Sequence, residues 1–123
     1  MGSQSCRDLQ VWQKGIELCL TVYQPCSSFL KSELYGLSDQ MKRAALSVPS
    51  NIAEGQARQH GAEFLHFLSI ANGLLAELDT QRIVAGRLSF LAQKTSSGLE
   101  QRITKNREML YVLMSKLRHT ENS

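Results

Sequence analysis

Apolar residues recur along most of this chain in alternating steps of three and four, the spacing that aligns one face of an α-helix. The first such stretch runs from about Asp8 to Ser27, with Leu9, Trp12, Ile16, Cys19, Tyr23 and Cys26 on one seam. A second stripe, Val11, Gly15, Leu18 and Val22, runs beside it. At 100° per residue the two stripes cover roughly 200° of the helix, whereas a bundle helix needs about 100° or somewhat more. The excess predicts self-association, with Val11, Leu18 and Val22 as the face offered to a second copy. Pro25 and the Ser27-Ser28 pair mark the end of this helix.

The second helix starts near Tyr35-Gly36 and carries Leu37, Met41, Ala44, Val48 and Ile52 on one side. Pro49 lies inside it, lacks an amide donor and crowds the carbonyl of Ala45, which predicts a kink or a break there. Ser50 and Asn51 are placed to bond the carbonyls that Pro49 frees. Ala44, Ala45 and Ala53 allow close helix approach, and Gly55 is the expected stop. The third helix runs from about Gly61 to between Gly86 and Leu88. Its seam is Phe64, Phe67, Ala71, Leu74, Leu78 and Ala85, widened by Leu65, Leu68, Leu75 and Ile83. At about 40 Å it is expected to be the longest, against roughly 30 Å for the others. His60 and Glu63 have the spacing of a capping box, with an atypical cap residue.

A linker, Gln93 to Ser97, leads to Ser97-Gly98-Leu99-Glu100, which reads as a capping box opening the fourth helix. Its seam is Leu99, Ile103, Asn106, Leu110, Leu113 and Leu117. Asn106 either fills a polar slot that sets register or lies at the edge of the seam against water. No strand pattern and no fixed-period repeat interrupts this order. The expected fold is all-α, an up-down-up-down antiparallel four-helix bundle over residues 7–118, with a flexible stretch at 1–6 and a frayed end at 119–123.

Composition agrees. With 123 residues, 42% hydrophobic and 20% charged, the chain has the make-up of one globular domain that buries a core without staples. Only two prolines favour long helices. Cys6, Cys19 and Cys26 are an odd set without a C-x-x-C, and Cys19 and Cys26 read as small buried hydrophobes. Short apolar runs give no transmembrane helix, Met1 to Trp12 has no secretory h-region, and Cys6 stands where a myristoylation signal needs Ser or Thr. A reduced, cytoplasmic location is expected.

Charge changes the picture more. The net +3 lies on the fourth helix, where Arg102, Lys105, Arg107, Lys116 and Arg118 oppose Glu100 and Glu108. The rest of the chain balances, with nine basic and nine acidic residues. Arg102, Lys105 and Lys116 flank the apolar seam on one side, alongside Met109 and Val112. Such a stripe is suited to neutralise phosphates, to cover apolar surface with its stems, or to meet acids across a subunit interface.

Catalytic patterns are missing. His60, His66 and His119 lack metal-ligand spacing, and Glu63 to His66 is a single Glu-x-x-His where a di-iron bundle needs two. There is no nucleophile elbow, no Cys-His pair and no phosphate-binding glycine loop. None of the histidines has the preceding arginine of an RNA-cleaving HEPN-type nuclease. Glu54 and Glu77 are the remaining acidic candidates, and a salt bridge to Arg43 or another basic residue accounts for them without catalysis. The expectation is no enzyme, no metal and no cofactor.

One stretch is distinctive. Arg7-Asp8-Leu9 with Val11-Trp12, Leu34-Tyr35-Gly36-Leu37 and Arg43-Ala44-Ala45 lead into Ser47-Val48-Pro49-Ser50-Asn51-Ile52-Ala53-Glu54-Gly55. Glu63-Phe64, Phe67-Leu68, Ile70-Ala71, Gly73 and Glu77-Leu78 follow. From about Arg7 to Leu91 the chain resembles the four-helix-bundle proteins encoded in intervening sequences of bacterial 23S ribosomal RNA genes. The departures are His60, where a Ser or Thr cap is usual, and Leu74, where a serine is common. That family is in turn similar to accessory variability proteins of diversity-generating retroelements, which form a basic pentameric ring and work with a reverse transcriptase and nucleic acid. The resemblance therefore implies a bacterial homo-oligomer, by analogy a pentamer, with RNA, DNA or a protein such as a reverse transcriptase as partner. Two readings follow: a nucleic-acid or ribonucleoprotein binder acting through Arg102, Lys105 and Lys116, or a protein-interaction scaffold using an exposed apolar helix face.

Overall fold

The computed structural model describes residues 9–26 and 36–121, which form four helices: α1 (Gln10–Cys26), α2 (Leu37–Arg58), α3 (Gly61–Arg87) and α4 (Gln93–Glu121). The expected flexible stretch at 1–6, Cys6, the Ser27-Ser28 stop and Leu34-Tyr35 lie outside the described residues. Each helix packs on two others, α1 on α2, α2 on α3, α3 on α4 and α4 back on α1, which closes a four-helix bundle. At one end of the first pair the Ser38 hydroxyl donates to the Cys26 carbonyl at 3.0 Å, and toward the other Pro49 lies over Gly15. In the third pair Arg82 meets Ser96 while Asn72 meets Arg107. Both pairs therefore run antiparallel.

The core is built from the helical seams, with shifts. Along α1 the buried positions are Val11, Gly15, Leu18, Cys19, Val22 and Cys26. The second stripe is thus the core stripe: Val11, Leu18 and Val22 are 6, 0 and 0% exposed within a single chain. They face the chain's own interior, whereas the sequence alone leaves them free for a second copy. Of the first stripe, Cys19 and Cys26 are buried in the core as expected, Leu9 and Trp12 pack partly buried on its edge, and Tyr23 is exposed. In α3 the centre of the seam is Leu68, Ala71, Leu75 and Leu78, with Phe64 and Leu74 only partly buried. Each fully buried leucine contributes about 1.5–3 kcal/mol relative to leaving it in water.

Helix ends correct several expectations. The α2 helix is not broken at Pro49 and does not stop at Gly55; it continues to Arg58 and turns on Gln59, which has a left-handed φ of 61°. Ser50 Oγ and Asn51 Nδ2 donate to the carbonyls of Leu46 and Ser47, one and two residues past the Ala45 carbonyl that Pro49 opens. At the end of α3, Phe90 N donates to Ala85 O and Ser89 N to Gly86 O, with Ser89 at φ 64°. These are the paired bonds of a Schellman motif, with serine in the left-handed position that glycine usually fills.

The α4 helix, at 29 residues, is longer than α3, at 27. It starts at Gln93, where the stretch to Ser97 was expected to be a linker, and Ser96 N already donates to Ala92 O at 2.9 Å. Ser97 is therefore an exposed position inside the helix, and the capping box is not used. Helical structure also continues past His119 to Glu121. Asn106 is buried in the seam rather than lying at its wet edge, and its Nδ2 donates to the Arg102 carbonyl of its own helix at 2.8 Å. Among the described residues no helix is long and apolar enough to cross a membrane.

Candidate nucleic-acid interface

The basic helix is held in place by its own seam. Leu99, Ile103, Asn106, Leu110 and Met114 are buried, which turns the intervening cations outward. Starting α4 at Gln93 adds Lys94 and Glu121, whose charges cancel, so the chain's net +3 still resides on this helix. Lys105 and Lys116 are eleven residues apart, three helical turns, and so share a face about 16 Å along the axis. Both are exposed and line an open groove between the start of α1 and α4, with Leu9, Met109, Val112 and Leu113 among its other lining residues. Met109 and Val112 thus lie beside the lysines as the helical wheel predicts. Glu108 also lines the groove and offsets part of their field.

Arg102 is placed differently. Its Nη1 lies 3.8 Å from Glu17 Oε1 on α1, both side chains about half exposed. It therefore joins two helices rather than lining the groove with Lys105 and Lys116, and a phosphate can exchange with Glu17 there. An exposed pair of this kind is worth about 0–1 kcal/mol, so the exchange is cheap.

The acidic candidates are surface groups. Glu54 pairs with Arg58 at 3.0 Å, one turn away, while Arg43 pairs with Asp39 at 2.9 Å. Glu77, also exposed, accepts a hydrogen bond from Gln81 Nε2 at 3.4 Å. Neither carboxylate is enclosed as a general acid would be. Among the described residues no three His, Cys, Asp or Glu side chains gather to hold a metal. Burial pushes the Cys19 and Cys26 thiols above their ordinary value of 9.0; at Cys26 the Ser38 hydroxyl and Lys42 draw it partway back. Both therefore stay protonated and poorly nucleophilic near neutral pH.

Two constellations escape the helical wheel. On the α3 side of α4, Arg107, Tyr111 and Arg118 line a second groove with Ser69 and Asn72. At the other end of α4, buried Arg82 bonds Asp79 Oδ1 at 2.9 Å, Ser96 Oγ at 2.9 Å and Glu100 Oε2 at 3.0 Å. Arg107, Tyr111 and Arg118 share one face of α4 by spacing, but whether that face lines a groove depends on which side α3 packs. Periodicity alone leaves that open.

The model of a family described as 23S rRNA-intervening sequence protein matches residues 7–112. A solved crystal structure with a similar fold is that of a protein with unknown function from the S23 ribosomal protein family of Bacteroides thetaiotaomicron. It superposes with a TM-score of 0.79 at 19% sequence identity, covering 85% of this chain and 95% of that one. At that identity the likeness bears on the fold alone. Comparison with curated proteins gives no significant match.

Proposed function

The chain belongs to the 23S rRNA-intervening sequence protein family, and from that premise we propose that it is a non-enzymatic nucleic-acid-binding protein whose contact surface is the basic side of α4. The observation that carries this reading is the concentration of the whole net charge on one helix, with Lys105 and Lys116 exposed on one groove. Lysine and arginine so placed neutralise backbone phosphates and release counterions, an attraction that needs no base contact. Arg102 extends the stripe toward α1 once it lets go of Glu17. The test is fluorescence anisotropy with a labelled unpaired oligoribonucleotide at low salt. Replacing Arg102, Lys105 and Lys116 together by glutamine is expected to weaken binding roughly tenfold. Unchanged affinity would contradict the assignment.

A second reading, self-association, is favoured by the apolar side chains left outside the core. Leu20 on α1, Leu46 on α2 and Leu88 after α3 are each about half or more exposed. Contact between copies through these side chains would use the outer faces, away from Val11, Leu18 and Val22, which the chain's own core buries. Solution scattering at micromolar concentration is expected to give a mass above one chain, and a monomeric mass overturns this reading.

A further inference from the structure

Tyr111 is the feature of the molecule that neither packing nor the charge count accounts for. It sits on α4 with 69% of its surface exposed, beside Val112, which is also exposed. A tyrosine normally buries much of its large ring, and one left in water next to another apolar side chain is a surface without its partner. The other exposed tyrosine among the described residues, Tyr23, has Lys42 over its ring at 5.5 Å. No ring or cation contact of this kind engages Tyr111 among the described residues.

Its neighbours along the helix are cationic. Arg107 lies one turn before it and Arg118 two turns after, so the three side chains share one face, with the arginines about 16 Å apart along the axis. The groove they line holds about 660 Å³, within the roughly 300–1,000 Å³ of small-molecule sites, and adds the polar side chains of Ser69 and Asn72 and the carboxylate of Glu108, which offsets part of the arginines' charge. Asn72 Oδ1 accepts from Arg107 Nε at 3.3 Å, which fixes that guanidinium at one end of the groove. A flat ring between two positive charges, with hydrogen-bonding groups at its side, matches an unpaired nucleotide strand. The base stacks on the ring and the phosphates on either side meet the arginines. A duplex does not fit the same way, because its base faces are already stacked on one another.

We propose that Tyr111, Arg107 and Arg118 form a stacking site for a single-stranded nucleic acid, which makes unpaired RNA or DNA the substrate class of the basic helix. This rests on the nucleic-acid reading given above and deepens it. The experiment measures anisotropy of a labelled oligoadenylate and of a duplex of equal length, with the wild-type chain, Tyr111→Ala and Tyr111→Phe. Tyr111→Ala is expected to lose about 5- to 150-fold in affinity for the single strand. Its duplex binding should be unchanged, and Tyr111→Phe should bind both as the wild type does. Because the side chain is exposed, helicity by circular dichroism should not change in either variant. An unaltered single-strand affinity in Tyr111→Ala, an equal loss on strand and duplex, or the same loss in Tyr111→Phe would overturn the stacking site while leaving electrostatic binding in place. A wild-type chain that binds neither probe at low salt would overturn both readings.

Discussion

At Gly55 a missing side chain determines how two helices meet. A Cβ built there would lie 2.6 Å from the Cβ of Phe67 and 3.1 Å from Cδ1 of Phe64, closer than packed atoms approach. Both neighbours are anchored on α3, and the Phe67 contact is to an atom next to the backbone, which cannot swing away. Gly55→Ala is therefore expected to destabilise the fold by about 1–3 kcal/mol, as overpacking does. A urea titration checks it, and an unmoved midpoint would show that α2 and α3 separate freely there. Pro49 has a looser partner, since a Cβ on Gly15 would meet its ring carbon at 3.4 Å, an ordinary van der Waals contact. The sequence makes the Pro49 to Gly55 stretch conspicuous, but it does not show the facing residues, and so Gly55 reads as a helix stop when it is a packing position.

Between elements, what the sequence shows and what it hides divide by range. Four helices, their seams and most of their ends follow from local spacing, because the 3.6-residue period is a property of each segment alone. The start of α4 does not, because it is settled by a residue on another helix. Arg82, its side chain only 10% exposed, reaches from α3 to Ser96 and Glu100 within the first turns of α4. Those turns are thus stabilised across the α3–α4 interface, with Glu100, the acid of the expected capping box, paired to Arg82. Arg82→Ala should cost about 2 kcal/mol by breaking charged hydrogen bonds in a part-buried setting. Ser97→Ala should stay within about 0.5 kcal/mol, as for an exposed helical position, where loss of a true cap would cost about 1 kcal/mol. Thermal or urea unfolding of the two variants distinguishes these cases, and a larger loss in Ser97→Ala would restore the capping box.

For the whole molecule, the apolar width of α1 and the charge of α4 have different outcomes. The width is taken up by the chain's own core, with Val11, Leu18 and Val22 buried. The helical wheel shows how many faces are apolar, but not how deeply neighbouring helices wrap them. The charge stays outside, and α4 carries it on two sides, Lys105 and Lys116 on one groove and Arg107 and Arg118 on the other. Lys105 and Lys116 are legible as a pair from spacing alone, but spacing also groups Arg102 with them although α1 supplies it with Glu17. The most direct test of the nucleic-acid assignment is therefore a salt titration of oligoribonucleotide binding to the wild-type chain. If Arg102, Lys105 and Lys116 each neutralise a phosphate, the slope of log affinity against log salt is about −2, a loss of about 20-fold between 50 and 200 mM, and with Arg107 and Arg118 engaged as well it steepens to about −3.5, a loss of about 100-fold. Affinity that stays constant across that range would contradict it.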